Sequence, residues 1–243
     1  MNKPDFSVVV PLFNEAGSVA LLQEEIARAL EGRRYELILV DDGSTDGTIE
    51  RIERNPSVRV LQFKRNAGQS AAMLAGMHAA RGGSIVLLDG DLQNDPRDIP
   101  RLLAEIENGA DLVCGFRALR KDTLLKRLSS RVANFVRSRF VGDGVRDTGC
   151  TLKAMRRVCL GALVPFKGVH RFIPALIKHA GFKIVEIPVN HRPRKFGVSK
   201  YGLGNRAVRA TLDMFGVRWL QSRRLDLAAV EYPEPAETLR SGV

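Results

Sequence analysis

The stretch IVLLDGDLQNDP, residues 85–96, runs four apolar residues directly into two aspartates one residue apart, followed by a glutamine and then Asn-Asp-Pro. A short continuous apolar run bounded by turn residues has the pattern of a buried strand. It is the fourth of its kind. FSVVVPLF, YELILVDD and VRVLQF precede it, and the segments between read as helices: GSVALLQEEIARALEG closed by Gly32, TDGTIERIERN, and QSAAMLAGMHAARG. A further helix, PRDIPRLLAEIENG, starts near Pro96. Strands without alternation, separated by helices, predict βαβ units and an α/β fold with a mostly parallel sheet covered on both faces. Ligands of such sheets lie beyond the carboxyl ends of the strands.

The polar clusters fall at those ends. NEAGS follows the first strand, DDGSTDGT the second, KRNAGQS the third and DGDLQNDP the fourth. One crevice is therefore expected to collect Asn14, Glu15, Asp41, Asp42, Asn66, Gly68, Asp89 and Asp91. Adjacent carboxylates repel unless a cation neutralises them. Asp89 and Asp91, with the Gln93 amide, have the form of a Mg²⁺ or Mn²⁺ site, where the ion keeps its other positions for water and substrate phosphates. Two other readings of the acidic turns stand beside this one. DDGSTDGT also reads as a turn with Ser44 or Thr45 capping the next helix. Asp42, Ser44, Asp46, Gly47 and Glu53 approximate the spacing of an EF-hand loop, but a strand, not a helix, precedes them. No GxGxxG follows the first strand and there is no Walker lysine.

Charge divides the chain. Residues 1–116 carry 12 Lys and Arg against 18 Asp and Glu, and residues 117–243 carry 26 against 9, within a net charge of +11. The second half is suited to an anionic partner, with a basic solvated face as the plain alternative. Aromatic residues make up 6% of the chain and do not interleave with the basic clusters, which disfavours a nucleic-acid-binding module. Three cysteines, Cys114, Cys150 and Cys159, without CxxC spacing suggest neither a disulfide framework nor a zinc knuckle, and a reducing compartment. The N-terminus lacks signal-peptide form and no apolar run is long enough for a membrane span, so a cytoplasmic, soluble or peripheral protein is expected.

VPLFNE, VDDGSTDGT, Asn66-x-Gly68, LLDGDLQNDP, the GFR of residues 115–117, RDTGCTLKAMRR and HRFIPALIKHAGFKIVEIPVNHRPRKFGVSKYG together resemble family 2 glycosyltransferases of GT-A fold, over roughly residues 6–204. Within them the similarity is to the dolichyl-phosphate mannose synthase and polyprenyl-phosphate glycosyltransferase branch. The resemblance implies a single GT-A domain over 1–225, with a donor and metal half (1–116), an acceptor half (117–204) and a basic amphipathic helix (205–225), before a flexible tail (226–243). It implies inverting transfer of a hexose from GDP-mannose or a UDP-sugar to a dolichyl or undecaprenyl phosphate at the cytoplasmic face of a membrane. A hydroxyl acceptor on a saccharide or protein is the alternative, with Asp147 as general base.

By the same resemblance, Pro11, Asn14, Glu15, Asp42, Asn66, Gly68, Asp89, Gly90, Asp91, Arg194 and Lys200 are donor-binding, the last two on a closing loop. Asp89, Asp91 and Gln93 hold the metal. Arg117, Arg127, Ser130 and Arg131 receive the acceptor phosphate, and Asp91, Arg117 and Arg131 carry the catalysis. A phosphate monoester is already anionic at neutral pH, so an arginine-rich acceptor site needs no general base. His170 and Arg171 match a family motif, with a structural histidine the simpler reading. Cys150 reads as a packed thiol, and Asp147 as a group that orients an arginine or touches the donor sugar. QxxRW is absent, since Arg218 and Trp219 precede Gln221, which favours single transfer.

Two segments have amphipathic periodicity. In TLLKRLSSRVANFVRSRF, Leu125, Leu128, Val132, Phe135 and Val136 recur at helical spacing. In NRAVRATLDMFGVRWLQSRR, Val208, Leu212, Phe215 and Trp219 share a stripe near Arg206, Arg209, Arg218, Arg223 and Arg224. Either helix packs on the core or lies in a membrane interface. Relatives continue into transmembrane helices after such a segment, and a membrane-anchoring partner subunit is the alternative for this chain.

Overall fold

The structure, a computed structural model, describes residues 3–118, 137–193, 204–223 and 225. Seven strands form one sheet: β1 (Phe6–Leu12), β2 (Tyr35–Asp41), β3 (Val58–Gln62), β4 (Ser84–Leu87), β5 (Leu112–Arg117), β6 (Lys153–Arg156) and β7 (Ile184–Val189), in the order β3-β2-β1-β4-β6-β5-β7. The strands β3, β2, β1 and β4 are mutually parallel, as are β5 and β7, while β6 runs antiparallel between β4 and β5. The expected α/β architecture with a mostly parallel sheet is the one observed.

Helices cover both faces. Successive residues of a strand point to opposite sides, so Val8 and Val10 enter one core and Val9 the other. On the first face α1 (Val19–Ala29) contributes Val19, Leu22 and Ile26, and α3 (Ile99–Glu107) contributes Ile99, Leu102 and Leu103. On the second, α2 (Gln69–Ala79) packs Met73 and Met77 beside α4 (Ile173–His179) and Val217 of α5 (Gly204–Ser222). The approach of α2 is close: a methyl group at Gly76 would sit 2.4 Å from Val9 Cγ1. Pro96 begins the helical run toward α3 as expected, with the Asp95 carboxylate accepting from the Arg97 amide at 3.1 Å.

One expected helix is absent. TDGTIERIERN forms only a three-residue 3-10 turn, Ile49–Arg51. Two side chains that might have capped a helix are used on another loop: Thr48 Oγ1 accepts from the Glu15 amide at 2.8 Å and Asp46 Oδ2 from the Ala16 amide at 3.0 Å. Ile52 is then extended, and β3 starts six residues on, after Pro56. The buried strand YELILV before this loop excludes the EF-hand reading. Residues 137–141 are helical, whereas the rest of the amphipathic segment from Leu125 to Val136, with Arg127, Ser130 and Arg131, lies outside the described residues. So do Arg194 and Lys200, and the tail from 226.

The edge opposite the strand carboxyl ends is locked by a buried carboxylate. Glu36 accepts from Ser7 Oγ (2.6 Å), the Arg81 amide (2.6 Å) and Arg59 Nη1 (2.7 Å). Burial alone would raise its pKa, but these donors together hold it below the usual carboxylate range. Ser7 Oγ in turn accepts from the Gly82 amide at 2.9 Å. A methyl group on Gly82 would lie 2.4 Å from Phe6 Cα and 2.7 Å from the Ser7 nitrogen. Because these are backbone atoms that cannot rotate away, Gly82→Ala is expected to destabilise the fold by about 2–3 kcal/mol, a fall in melting temperature of roughly 5–10 °C by calorimetry.

Candidate active site

At the carboxyl edge of the sheet the loops predicted to meet are joined by hydrogen bonds. After β1 the chain turns at Asn14, whose φ of 53° is left-handed. Its amide donates to Ser44 Oγ at 2.8 Å, and its Oδ1 accepts from the Thr45 amide at 2.8 Å. Asn and Asp tolerate this backbone region better than other non-glycine residues. Glu15 Oε2 accepts from Ser18 Oγ at 2.9 Å. Asp42 is buried just past β2 and ties that loop to the one after β3, accepting from the amides of Ala67 (2.7 Å) and Gly68 (2.9 Å). Asn66 Nδ2 donates to the Asp42 carbonyl at 3.3 Å. Both Asp42 oxygens thus already shape the loop, in addition to the donor contact the resemblance implies for this residue. The neighbouring Asp41 is fully buried; one oxygen accepts from the Ser44 amide at 3.2 Å and the other has no partner among the described residues.

The acidic pair sits beyond β4. Asp89 Oδ1 accepts from Gln69 Nε2 at 2.9 Å and Oδ2 from Thr151 Oγ1 at 2.5 Å. Asp91 is buried, and its Oδ1 accepts from the Gln93 amide at 3.1 Å. Between them Gly90 lies under the first loop: a methyl group there would be 2.6 Å from Leu12 Cδ2 and 3.3 Å from the Pro11 carbonyl. Leu92 follows in a left-handed conformation, φ 61°, with its side chain buried. Such a backbone costs on the order of 1–3 kcal/mol and persists only where its surroundings enforce it. Loss of water around Asp89, added to the charge of Asp91, pushes its pKa up to about 6 against the pull of Thr151, Lys153 and Gln69.

Lys153, fully buried in β6, donates to the Cys150 carbonyl. Two strands from β4, Arg117 ends β5 and is clasped by Asp147, with Nε to Oδ2 at 2.6 Å and Nη2 to Oδ1 at 2.8 Å. This is the arginine-orienting role foreseen for Asp147. Gln69, Thr151 and Lys153 were not anticipated as site residues. His170 Nδ1 lies 2.7 Å from Ser70 Oγ, which also accepts from the Gly168 amide at 2.9 Å, so the 168–171 turn rests on the start of α2. Cys114, Cys150 and Cys159 are buried thiols, and Cys150 Sγ is 3.9 Å from Asn94 Oδ1.

Among the described residues no three or more His, Cys, Asp or Glu side chains gather around a point. Asp89 and Asp91 with the nearby Gln93 could hold a hard divalent ion that takes its other ligands from water and phosphate. The raised pKa of Asp89 marks the excess negative charge that such an ion would neutralise.

A model of the family described as Glycosyl transferase family 2 matches residues 7–163. The chain is 42% identical over 224 residues to a dodecaprenyl-phosphate galacturonate synthase of Rhizobium johnstonii, covering 88% of this chain and 66% of that protein. It is 39% identical over 204 residues to an undecaprenyl-phosphate 4-deoxy-4-formamido-L-arabinose transferase of Yersinia enterocolitica, covering 81% and 62%. The chain thus spans about three fifths to two thirds of the length of these relatives. In fold it is similar to glucosyl-3-phosphoglycerate synthase from Mycobacterium tuberculosis in complex with Mn²⁺, uridine diphosphate and phosphoglyceric acid, with a TM-score of 0.68, 20% identity, and 92% of this chain and 80% of that one covered.

The Asp89 carboxyl sets a pH signature. Its folded pKa of about 6 exceeds the ordinary 3.8, so between these values the folded chain holds a proton that the unfolded chain releases. The stability it contributes is complete below about pH 4 and lost as pH rises through about 6. Asp89→Asn is expected to melt a few degrees above the parent at pH 7, an advantage that disappears toward pH 4 in calorimetric scans.

Proposed function

The chain belongs to glycosyl transferase family 2, and from that membership we propose that it transfers a sugar, with inversion, from a nucleoside diphosphate to the phosphate of a polyprenyl lipid at a membrane surface. The observation that carries this reading is the pairing of an acidic turn after β4 with an arginine fixed by Asp147 at the end of β5. Leu87 and Cys114 are both registered on Lys153 of β6, so with strands about 4.8 Å apart β4 and β5 run roughly 10 Å from one another, a span for a diphosphate and a sugar between the acidic turn and Arg117. The relatives named for dodecaprenyl and undecaprenyl phosphate support the acceptor class.

In this reading the loops bearing Pro11, Asn14, Glu15, Asp42, Asn66 and Gly68 hold the nucleoside, with Gly90 letting the acidic turn close beneath them. Asp91, with Asp89 and Gln93, would hold Mg²⁺ or Mn²⁺, which when bound neutralises charge on the leaving diphosphate. Arg117 meets the acceptor phosphate. Its bidentate clasp by Asp147 fixes the guanidinium plane before substrate arrives, so orientation is settled in advance. The acceptor oxygen is already anionic at neutral pH and attacks without a general base. By the resemblance alone, Arg127, Ser130 and Arg131 would add to the phosphate site and Arg194 and Lys200 would meet the donor; all five lie outside the described residues. Asp147 as general base for a hydroxyl acceptor is the poorer reading, because that carboxylate is engaged by Arg117 through both oxygens.

The test is sugar transfer to a short polyprenyl phosphate in detergent, across a panel of nucleotide sugars with Mg²⁺, Mn²⁺ or EDTA. Galacturonate and modified arabinose donors join glucose, N-acetylglucosamine and mannose donors, given the sugars in the relatives' names. Product from one donor, lost with EDTA, is expected; transfer to a free hydroxyl and none to the lipid phosphate would refute the reading. Asp91→Asn is expected to lower turnover by a factor of about 100 or more with the circular dichroism unchanged. Arg117→Lys cannot reproduce the two-point clasp. It is expected to reduce kcat/KM for the lipid about tenfold or more while the donor KM stays within about twofold.

A further inference from the structure

Lys153 is 2% exposed, in the interior of the sheet. A buried ammonium is costly unless negative charge lies close by, and its place in the ladder shows which charge that is. Lys153 is registered on Leu87 of β4 and on Cys114 of β5, and directly opposed residues of antiparallel strands project to the same face. Leu87 and Cys114 both enter the core that α2 covers, so Lys153 rises on that face, next to the strand that continues into Asp89. Asp89 is itself bonded by Gln69 of α2 at 2.9 Å and by Thr151, two residues before Lys153, at 2.5 Å.

Among the described residues the ammonium donates to the Cys150 carbonyl and makes no salt bridge, so its charge acts through space. Burial raises the pKa of Asp89, Cys114 and Cys150, and the Lys153 charge opposes that rise at all three. The two thiols offer no charge to balance it. The other carboxylates felt at those cysteines have arginines of their own: Glu186 has Arg146 at 3.4 Å, Asp143 has Arg137, and Asp147 has Arg117 at 2.6 Å. Among the described residues that leaves the acidic turn of Asp89 and Asp91 as the counterpart of Lys153.

We propose that Lys153 is a fixed positive charge beneath the donor site, which loosens the hold of the acidic turn on a free divalent ion and strengthens its hold on a diphosphate. This rests on the reading of Asp89, Asp91 and Gln93 as the metal site. With both aspartates ionised, the turn and Lys153 together carry one net negative charge, and a divalent ion converts that to one net positive charge facing the anionic donor. Without Lys153 the same loaded turn is neutral. The lysine touches neither ligand, and its effect on a cation and on an anion has opposite sign. An ion held loosely by itself leaves with the departing nucleotide, so the site is emptied for the next donor.

The opposite signs make the test. Mn²⁺ is titrated into the full chain without nucleotide and free Mn²⁺ is read by electron paramagnetic resonance; UDP and GDP are then titrated by calorimetry at saturating Mn²⁺. Lys153→Met and Lys153→Gln are expected to bind Mn²⁺ about fivefold tighter than the parent and the nucleotide about fivefold weaker. Either variant suffices if the other does not fold. Lys153→Arg, which keeps the charge, should stay within about twofold of the parent for both ligands. Thr151→Val, which removes a neutral bond to Asp89, should not tighten Mn²⁺. A Lys153 variant that binds Mn²⁺ no tighter than the parent, or that weakens Mn²⁺ and nucleotide together as a merely structural loss does, would overturn the proposal. If the parent's Mn²⁺ binding disappears in Asp91→Asn but is unmoved in the Lys153 variants, the proposal fails alone. A parent that takes no Mn²⁺ with or without nucleotide removes the metal-site reading together with it.

Discussion

Two carboxylates held one residue apart at the end of a buried strand are the constraint that the site is arranged around. Water is largely withdrawn from Asp89 and the charge of Asp91 adds to the difficulty, which is why its proton is retained up to about pH 6. The chain answers with two hydrogen-bond donors and one positive charge. Gln69 comes from the first turn of α2 and Thr151 from the residue but one before β6, while the buried Lys153 of β6, bonded to the Cys150 carbonyl, adds a positive charge nearby. These groups come near Asp89 because β6 is inserted next to β4 and α2 begins at the same edge of the sheet. The sheet order and the chemistry of the acidic turn are thus one problem with one solution.

Preorganisation extends outward from that turn. The loops after β1, β2 and β3 are joined through Asn14, Thr48 and Asp42, whose side chains bond to backbone amides or receive them. A ligand entering such a crevice would meet walls already in place, the entropy of ordering them having been met during folding. The left-handed Leu92 belongs to the same economy: its backbone is forced, and its buried side chain supplies the force.

Much of this was legible in the sequence, for physical reasons. Apolar runs such as VVV and ILV report parallel strands covered on both faces, and polar residues at their ends report the ligand edge, because both follow from local pattern. Gln69, Thr151 and Lys153 were not legible. Their partner Asp89 is 20, 62 and 64 residues away, and a lysine in KAMR gives no local sign of being interior. The clasp of Arg117 by Asp147 was half visible, as a carboxylate suited to orient an arginine whose identity only the fold supplies. TDGTIERIERN failed because helix propensity lost to tertiary demand: Asp46 and Thr48 were needed to hold the loop at Glu15 and Ala16. The stripe on α5 was seen, but periodicity cannot say whether a hydrophobic face looks inward or outward.

The antiparallel β6 has a consequence for the order in which the molecule is made. Among the described residues it is the strand that joins the β3-β2-β1-β4 group to the β5-β7 pair, and it begins 66 positions after the last residue of β4. During synthesis from the N-terminus, β4 is a bare edge and β5 has no neighbour until Lys153–Arg156 emerges. Until then the loops after β1, β2 and β3 can bond to one another, but Thr151 and Lys153 are missing, and Gln69 is the side chain of the N-terminal half that donates to Asp89 among the described residues. The acidic turn after β4 therefore acquires its counter-charge only when the strand that joins the two parts of the sheet has been made, and the same few residues close the sheet and relieve the carboxylates.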